Sequence, residues 1–121
     1  MSKRWKSKKY LMWIASNKCL LCHYHECQAH HITIAEKRGI SQKVSDKFTI
    51  PLCYPHHQQL HNFGERKYWE KLDIDPVYQA NVFYNMWEKD RIYDEIMLNE
   101  LIYDKLLPKC QNNIDFLMQV K

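Results

Sequence analysis

The sequence predicts a small α+β domain: a β-hairpin followed by a helix, stapled by metal, with one helix before it and several after it. Three observations carry that reading. All seven histidines and four of the five cysteines lie between Cys19 and His61. Two short β-prone runs, His30–Ile34 and Phe48–Leu52, fall inside the same window. Outside it, apolar residues recur at helical spacing.

Residues 8–16, with Tyr10, Leu11, Met12, Trp13 and Ile14, predict a short helix. Residues 17–28 hold a knuckle, Cys19–Leu20–Leu21–Cys22. His30–Ile34 is β-branched enough for a strand, residues 35–46 are polar and predict a loop with Gly39 at a turn, and Phe48–Leu52 predicts a second strand. Pro51 marks an edge or the end of that strand. Pro55 suits the first turn of a helix running to about Asn62, with Gly64 just past its end. Glu65–Leu72 is a short amphipathic segment. Asp75 is a good N-cap, Pro76 a good first helical residue, and Val77–Trp87 continues that helix. Ile92–Leu107 predicts another helix stopped by Pro108, and residues 112–120 a final short one. Trp69, Tyr78, Phe83, Tyr84 and Trp87 are expected in the core, because helical spacing alone explains them.

A chain of 121 residues is one domain by length, and 45% hydrophobic residues suffice for a core. A domain this small gains from a metal staple. No apolar run approaches the roughly 20 residues needed to cross a bilayer, and Tyr10–Ala15 is too short for a secretory signal. No membrane partner is expected. The cytoplasm is the expected location, where thiols bind metal rather than pair. The net charge of +4 is unevenly spread: residues 1–84 carry 13 Lys/Arg against 7 Asp/Glu, and residues 85–121 carry 5 against 7. The basic arm of Lys3, Arg4, Lys6, Lys8 and Lys9 suits a polyanion, and is expected to contact nucleic-acid phosphates without reading sequence. A solvated tail is the competing reading.

Two metal patterns overlap in the central window. C-x2-C at Cys19 and Cys22 is answered by C-x2-H at Cys53 and His56, which describes a closed tetrahedral structural Zn2+ site. Cys27, His23 and His25 compete as ligands, although the two histidines suit a loop better. Cys110 lies far outside, as a packed or surface thiol. The second pattern joins His30–His31 to His57-x3-His61. Residues four apart share a helix face, so His57 and His61 can grip one ion, while His56 points about 100° away. Neighbours on a strand face opposite sides, so one histidine of the His30–His31 pair can bind that ion while the other stays free as a general base.

The order C-x2-C, then Ala29–His30–His31–Ile32, then Pro51–Leu52–Cys53-x2-His56–His57-x3-His61 resembles the HNH endonucleases of the ββα-metal (His-Me finger) group. The likeness is greatest to the phage and prophage branch that includes recombination-enhancement nucleases. It spans roughly residues 8 to 80, including Trp69 and Ile74–Asp75–Pro76. The resemblance implies an HNH-like ββα-metal core with zinc knuckles over 19–64. Charge and helical pattern add a basic N-terminal arm and short helix over 1–18 and a helical C-terminal extension of the same domain over 65–121, of which residues 85–121 lie outside the resemblance. The resemblance also implies that His31 is the general base and that His30, His57 and His61 hold one catalytic divalent ion, Mg2+, Mn2+, Zn2+ or Ni2+. The expected reaction is hydrolysis of DNA, including single-stranded or branched forms, leaving 5′-phosphate and 3′-hydroxyl ends. A recombinase filament is an expected partner. The family's middle Asn has no match: Lys47 and Phe48 occupy that neighbourhood. Asp46 is the nearest polar candidate to accept the other ring N–H of His31. Two further functions fit the residues: a zinc-stapled module that binds nucleic acid without cutting, and a recombination adaptor using residues 85–121.

Overall fold

The computed structural model describes residues 4–36 and 44–120. Lys3, Gly39 and most of the predicted 35–46 loop therefore lie outside the described residues. The elements run α1 (Lys8–Ser16), β1 (Cys27–His31), β2 (Thr49–Cys53), α2 (Tyr54–Phe63), α3 (Glu65–Leu72), α4 (Pro76–Glu88), α5 (Glu95–Leu98), a π-helical turn (Asn99–Tyr103), α6 (Asp104–Asn112) and α7 (Ile114–Leu117). The architecture is α+β, with one two-stranded antiparallel hairpin and helices around it.

Local chemistry explains most boundaries. Ser7 caps α1 by accepting the Tyr10 N–H, and Asp75 caps α4 by accepting from Val77 and Tyr78. Pro55 sits in the first turn of α2. Gly64, at φ 102°, both ends α2 and starts α3. A side chain is strained at that φ, and the abrupt change of direction folds the start of α3 back over the hairpin.

Three predictions need correction. The first strand is Cys27–His31, not His30–Ile34. The β-branched run ends the pairing rather than carrying it: the Ile32 amide makes a last bond to the Phe48 carbonyl, and the chain then turns, with the Ala35 amide bonding the Ile32 carbonyl. Pro108 does not stop the last long helix but lies inside α6. Leu106 and Cys110, four residues apart on one buried face, pack across it, so tertiary burial overrides the local penalty. The π-helical turn just before α6 was not foreseen. Tyr78 is half exposed rather than core, although Trp69 and Phe83 are buried and Tyr84 and Trp87 pack against the core.

All five residues of β2 are buried, because α1 and α4 both pack on the hairpin. Pro51 lies mid-strand opposite Ala29. A two-stranded sheet has only edge strands, which accommodate the missing N–H. One buried cluster runs from Tyr10 in α1 through Ile50, Leu60 and Phe83 to Leu117. Aromatic edges tie α1 and the chain just before it to α4: Trp5 meets Tyr84 at 5.2 Å and Tyr10 meets Trp87 at 5.2 Å between ring centroids. No helix among the described residues is long and apolar enough to cross a membrane.

Candidate metal centres

Antiparallel register places Cys27 opposite Cys53 and His30 opposite Ile50. β2 then runs directly into α2, so Cys53 and His56 reach back to the Cys19–Cys22 knuckle. Ligand atoms of Cys19, Cys22, Cys53 and His56 lie within 4.8 Å of one another, with all but Cys22 buried. The Cys22 and Cys53 sulfurs are 3.6 Å apart. His56 Nδ1 is 3.2 Å from Cys53 Sγ and 3.9 Å from Cys19 Sγ. A tetrahedral zinc with bonds near 2.3 Å to sulfur separates its ligands by about 3.8 Å, so the donor set and its spacing fit a structural metal ion.

The thiols repeat the message electrostatically. Hydrogen bonds from Cys22, Cys27 and Cys53 pull the Cys19 thiol far down toward the thiolate, against the effect of burial. The hydrogen bond with Cys19 in turn pushes Cys22, Cys27 and Cys53 up, with burial and then the Cys19 charge adding to it. One negative sulfur surrounded by thiols is what a divalent ion would convert to a fully ionised set. Burial lowers His56, but the Cys19 thiolate and the Leu117 carbonyl outweigh it, so its pKa is raised. Of the competing ligands, Cys27 keeps its sulfur beside Cys19 while donating to the Tyr24 carbonyl at 3.2 Å, and His23 lays its ring against Tyr103. His25 is exposed and lines a separate groove.

The second group brings together His30 on β1 with His57 and His61 on α2, again with ligand atoms within 4.8 Å. His30 Nδ1 is 3.0 Å from His57 Nε2, which is 3.1 Å from His61 Nε2. An ion bonded to imidazole near 2.1 Å at right angles spaces its nitrogens by about 3.0 Å, so the His30–His57 and His57–His61 spacings fit donors to one ion. Burial, followed by the His30 and His61 rings, lowers His57 to about 4, which keeps it an unprotonated donor at neutral pH.

His31 points the other way, as strand alternation requires. Its Nε2 donates to Asp46 Oδ1 at 2.8 Å. Asp46 is buried and also accepts from the Arg4 guanidinium at 2.8 Å and the Ser7 amide at 2.9 Å. Arg4 further donates to the Val44 carbonyl. Arg4 is thus spent on holding Asp46, unlike Lys6, Lys8 and Lys9, which are exposed. A cleft of about 420 Å3 opens beside His31, lined by Arg4, Lys6, Leu11, Thr33, Val44 and Asp46.

The residue that sequence reasoning missed is Glu65. Both its carboxylate oxygens face His30 Nε2, at 3.1 and 3.0 Å, and it also accepts from the Thr33 amide and hydroxyl and the Trp69 indole. Burial alone would raise its pKa, but the His30 bond and charge, with Thr33 and Trp69, bring it down to about 2. The available signal was the single acid directly after Gly64 and four residues before Trp69.

Fold and site together define a Cys/His-rich α+β domain with two candidate metal centres. The chain belongs to the DUF968 family, described as proteins of unknown function, whose model matches residues 1–81. It is also similar to an uncharacterized protein of Escherichia coli (strain K12), YdfU, with 32% identity over 75 residues, covering 60% of this chain and 22% of that protein. The chain therefore spans about a fifth of that relative's length. No solved structure matches the chain.

Proposed function

We propose that this domain is a metal-dependent DNA endonuclease of the HNH type, built on a ββα-metal core. The observation that carries the reading is the sorting of adjacent histidines: His30 turns into a three-imidazole cluster, while His31 turns to a buried carboxylate beside a basic cleft.

The roles follow from the chain's own atoms. Asp46 accepts the Nε2–H of His31, which leaves the Nδ1 lone pair to take a proton from water. Arg4 and the Ser7 amide hold Asp46 in place and keep it from rotating away. Lys6 and the exposed Lys8 and Lys9 offer charge to the backbone phosphates. A divalent ion held by His30, His57 and His61 would supply stabilisation of the charge that develops on phosphorus and on the departing 3′ oxygen. Cys19, Cys22, Cys53 and His56 would hold a Zn2+ ion that fixes the hairpin to the knuckle.

The test is strand cleavage by the purified full chain on circular duplex and single-stranded DNA, with Mg2+, Mn2+, Zn2+ or Ni2+ added in turn. Wild type is expected to nick, leaving 5′-phosphate ends, and His31→Ala to lose activity by about 10²-fold or more. Equal cleavage by both proteins removes His31 from the mechanism. Salt-sensitive binding without products under every ion would replace this reading with a zinc-stapled binding module.

A further inference from the structure

We infer that Glu65 and Gln28 are positioning residues for the three-histidine cluster, fixing the ring tautomers of His30 and His57 so that unprotonated nitrogens face the point shared with His61. The inference rests on the metal-binding reading of that cluster and adds two residues to it.

A carboxylate can only accept, so His30 Nε2, at 3.1 and 3.0 Å from the two Glu65 oxygens, carries the ring proton. A ring that binds a cation must be neutral, and in that state the Nδ1 of His30 is a bare lone pair; it is this atom that faces His57. On His57 the arrangement is mirrored. Its Nδ1 lies 2.5 Å from Gln28 Oε1, so Nδ1 carries the proton and Nε2 is bare. With both rings in that neutral form, two bare nitrogens stand 3.0 Å apart. Such a pair repels unless a cation occupies the shared point, and the two acceptors that impose it lie on the far sides of the rings.

The two acceptors differ in how firmly they are held. Glu65 is pinned by the Thr33 amide at 2.9 Å, the Thr33 hydroxyl at 3.0 Å and the Trp69 indole at 2.6 Å. It is placed there by the reversal at Gly64. Gln28 is exposed on β1, two residues before His30 and on the same strand face. Glu65 also adds negative charge behind a neutral imidazole, which raises the basicity of the donor. Its effect should accordingly exceed that of Gln28.

The test reads metal binding rather than cleavage. Zn2+-loaded full chain is titrated with Co2+, followed by visible absorbance, for wild type, Glu65→Gln, Gln28→Leu, His57→Ala and Leu72→Ala. Glu65→Gln is expected to weaken Co2+ binding by about 10–100-fold, and Gln28→Leu by about tenfold or less. Leu72→Ala, a buried change on α3 away from the cluster, should lower the melting temperature while leaving Co2+ affinity unchanged. Gln28→Leu, at an exposed position, keeps the question open to measurement if Glu65→Gln fails to fold. Wild-type Co2+ affinity in both Glu65→Gln and Gln28→Leu overturns the inference. So does a loss in Glu65→Gln that Leu72→Ala reproduces at equal destabilisation. Wild-type binding in His57→Ala would overturn the metal reading beneath it as well. Tight, Glu65-dependent binding in a protein that cuts no DNA would uphold this inference while ending the nuclease reading.

Discussion

His56 donates its Nε2–H to the Leu117 carbonyl at 2.9 Å, across 61 residues of chain, while its Nδ1 faces the cysteines of the knuckle. One ring thus joins the candidate zinc site to the far end of the fold. Neighbouring bonds follow the same route: Gln59 Nε2 donates to the Phe116 carbonyl at 2.8 Å, and Tyr103 Oη to the Lys18 carbonyl at 2.6 Å. Residues beyond 85, to which the sequence assigned only generic helices, close over the Cys19–Cys22 knuckle.

With an ion held by Cys19, Cys22, Cys53 and His56, as proposed, its removal should release α7 first. That helix has four residues and no stability of its own. Chelation, or His56→Ala, is expected to abolish hydrogen-exchange protection at the Leu117 and Met118 amides while α4 stays protected. Cys19→Ser, which removes one ligand of the same site, is expected to give the same loss of protection at the Leu117 and Met118 amides. Unchanged protection in the metal-free protein would show that α7 docks without help from His56.

The Asp46 carboxylate serves two partners at one oxygen, His31 and Arg4, each at 2.8 Å. Asp46→Asn keeps the shape and removes the charge, so His31 loses its fixed tautomer. Cleavage is expected to fall by about 10²–10⁴-fold with DNA affinity little changed. Arg4→Met removes the ion pair but leaves the His31 contact. It should cost about 1 kcal/mol of stability, the pair being partly exposed, and much less activity. A melting curve and a cleavage rate on both variants separate the two roles, and equal rate losses would contradict the division.

Much of the site could be read because metal ligands announce themselves by spacing. C-x2-C, C-x2-H and H-x3-H translate directly into knuckles and a helix face, and the structure brings both groups of residues together. Helix ends marked by Asp, Pro or Gly were equally legible, as at Asp75–Pro76 and Gly64. What escaped depends on contacts distant in sequence. Glu65 meets His30 across 35 residues and looks from sequence like any acid on a polar helix face. Cys27 and Gln28 carry no β-branching, so burial and pairing with β2, rather than propensity, put them in the strand. Pro108 misled for the same reason, since the packing of Leu106 and Cys110 decides its helix.

Gly64 is the hinge on which the position of Glu65 depends. Nothing would clash with an added Cβ, so the whole penalty of Gly64→Ala is backbone strain at φ 102°. That strain is expected to cost about 1–3 kcal/mol. Because α3 begins at the next residue, Co2+ affinity at the histidine cluster should fall together with the melting temperature. A full loss of stability with wild-type affinity would show that α3 keeps its place without the glycine.

Alkaline pH offers a test of the core that needs no metal. Burial, then the nearby Tyr84, pushes Tyr10 far above the ordinary 10.0, and burial followed by the Cys27 and Cys19 charges does the same for Tyr103. A folded-state pKa raised above the unfolded value means that stability is intact below pH about 10 and drains away as pH rises through it, because only the unfolded chain can ionise these phenols. Tyrosinate absorbance from Tyr10 and Tyr103 should thus appear together with loss of helical circular dichroism, not before it. Tyr10 Oη is buried with no hydrogen-bond partner among the described residues. Removing it in Tyr10→Phe takes away an unmet polar group that costs about 1–3 kcal/mol. The variant is expected to be as stable as wild type or more so at neutral pH, and to unfold at higher pH. A clear destabilisation at neutral pH would mean that the hydroxyl has a partner and that the packing of Trp5, Tyr10 and Tyr84 is arranged differently in solution.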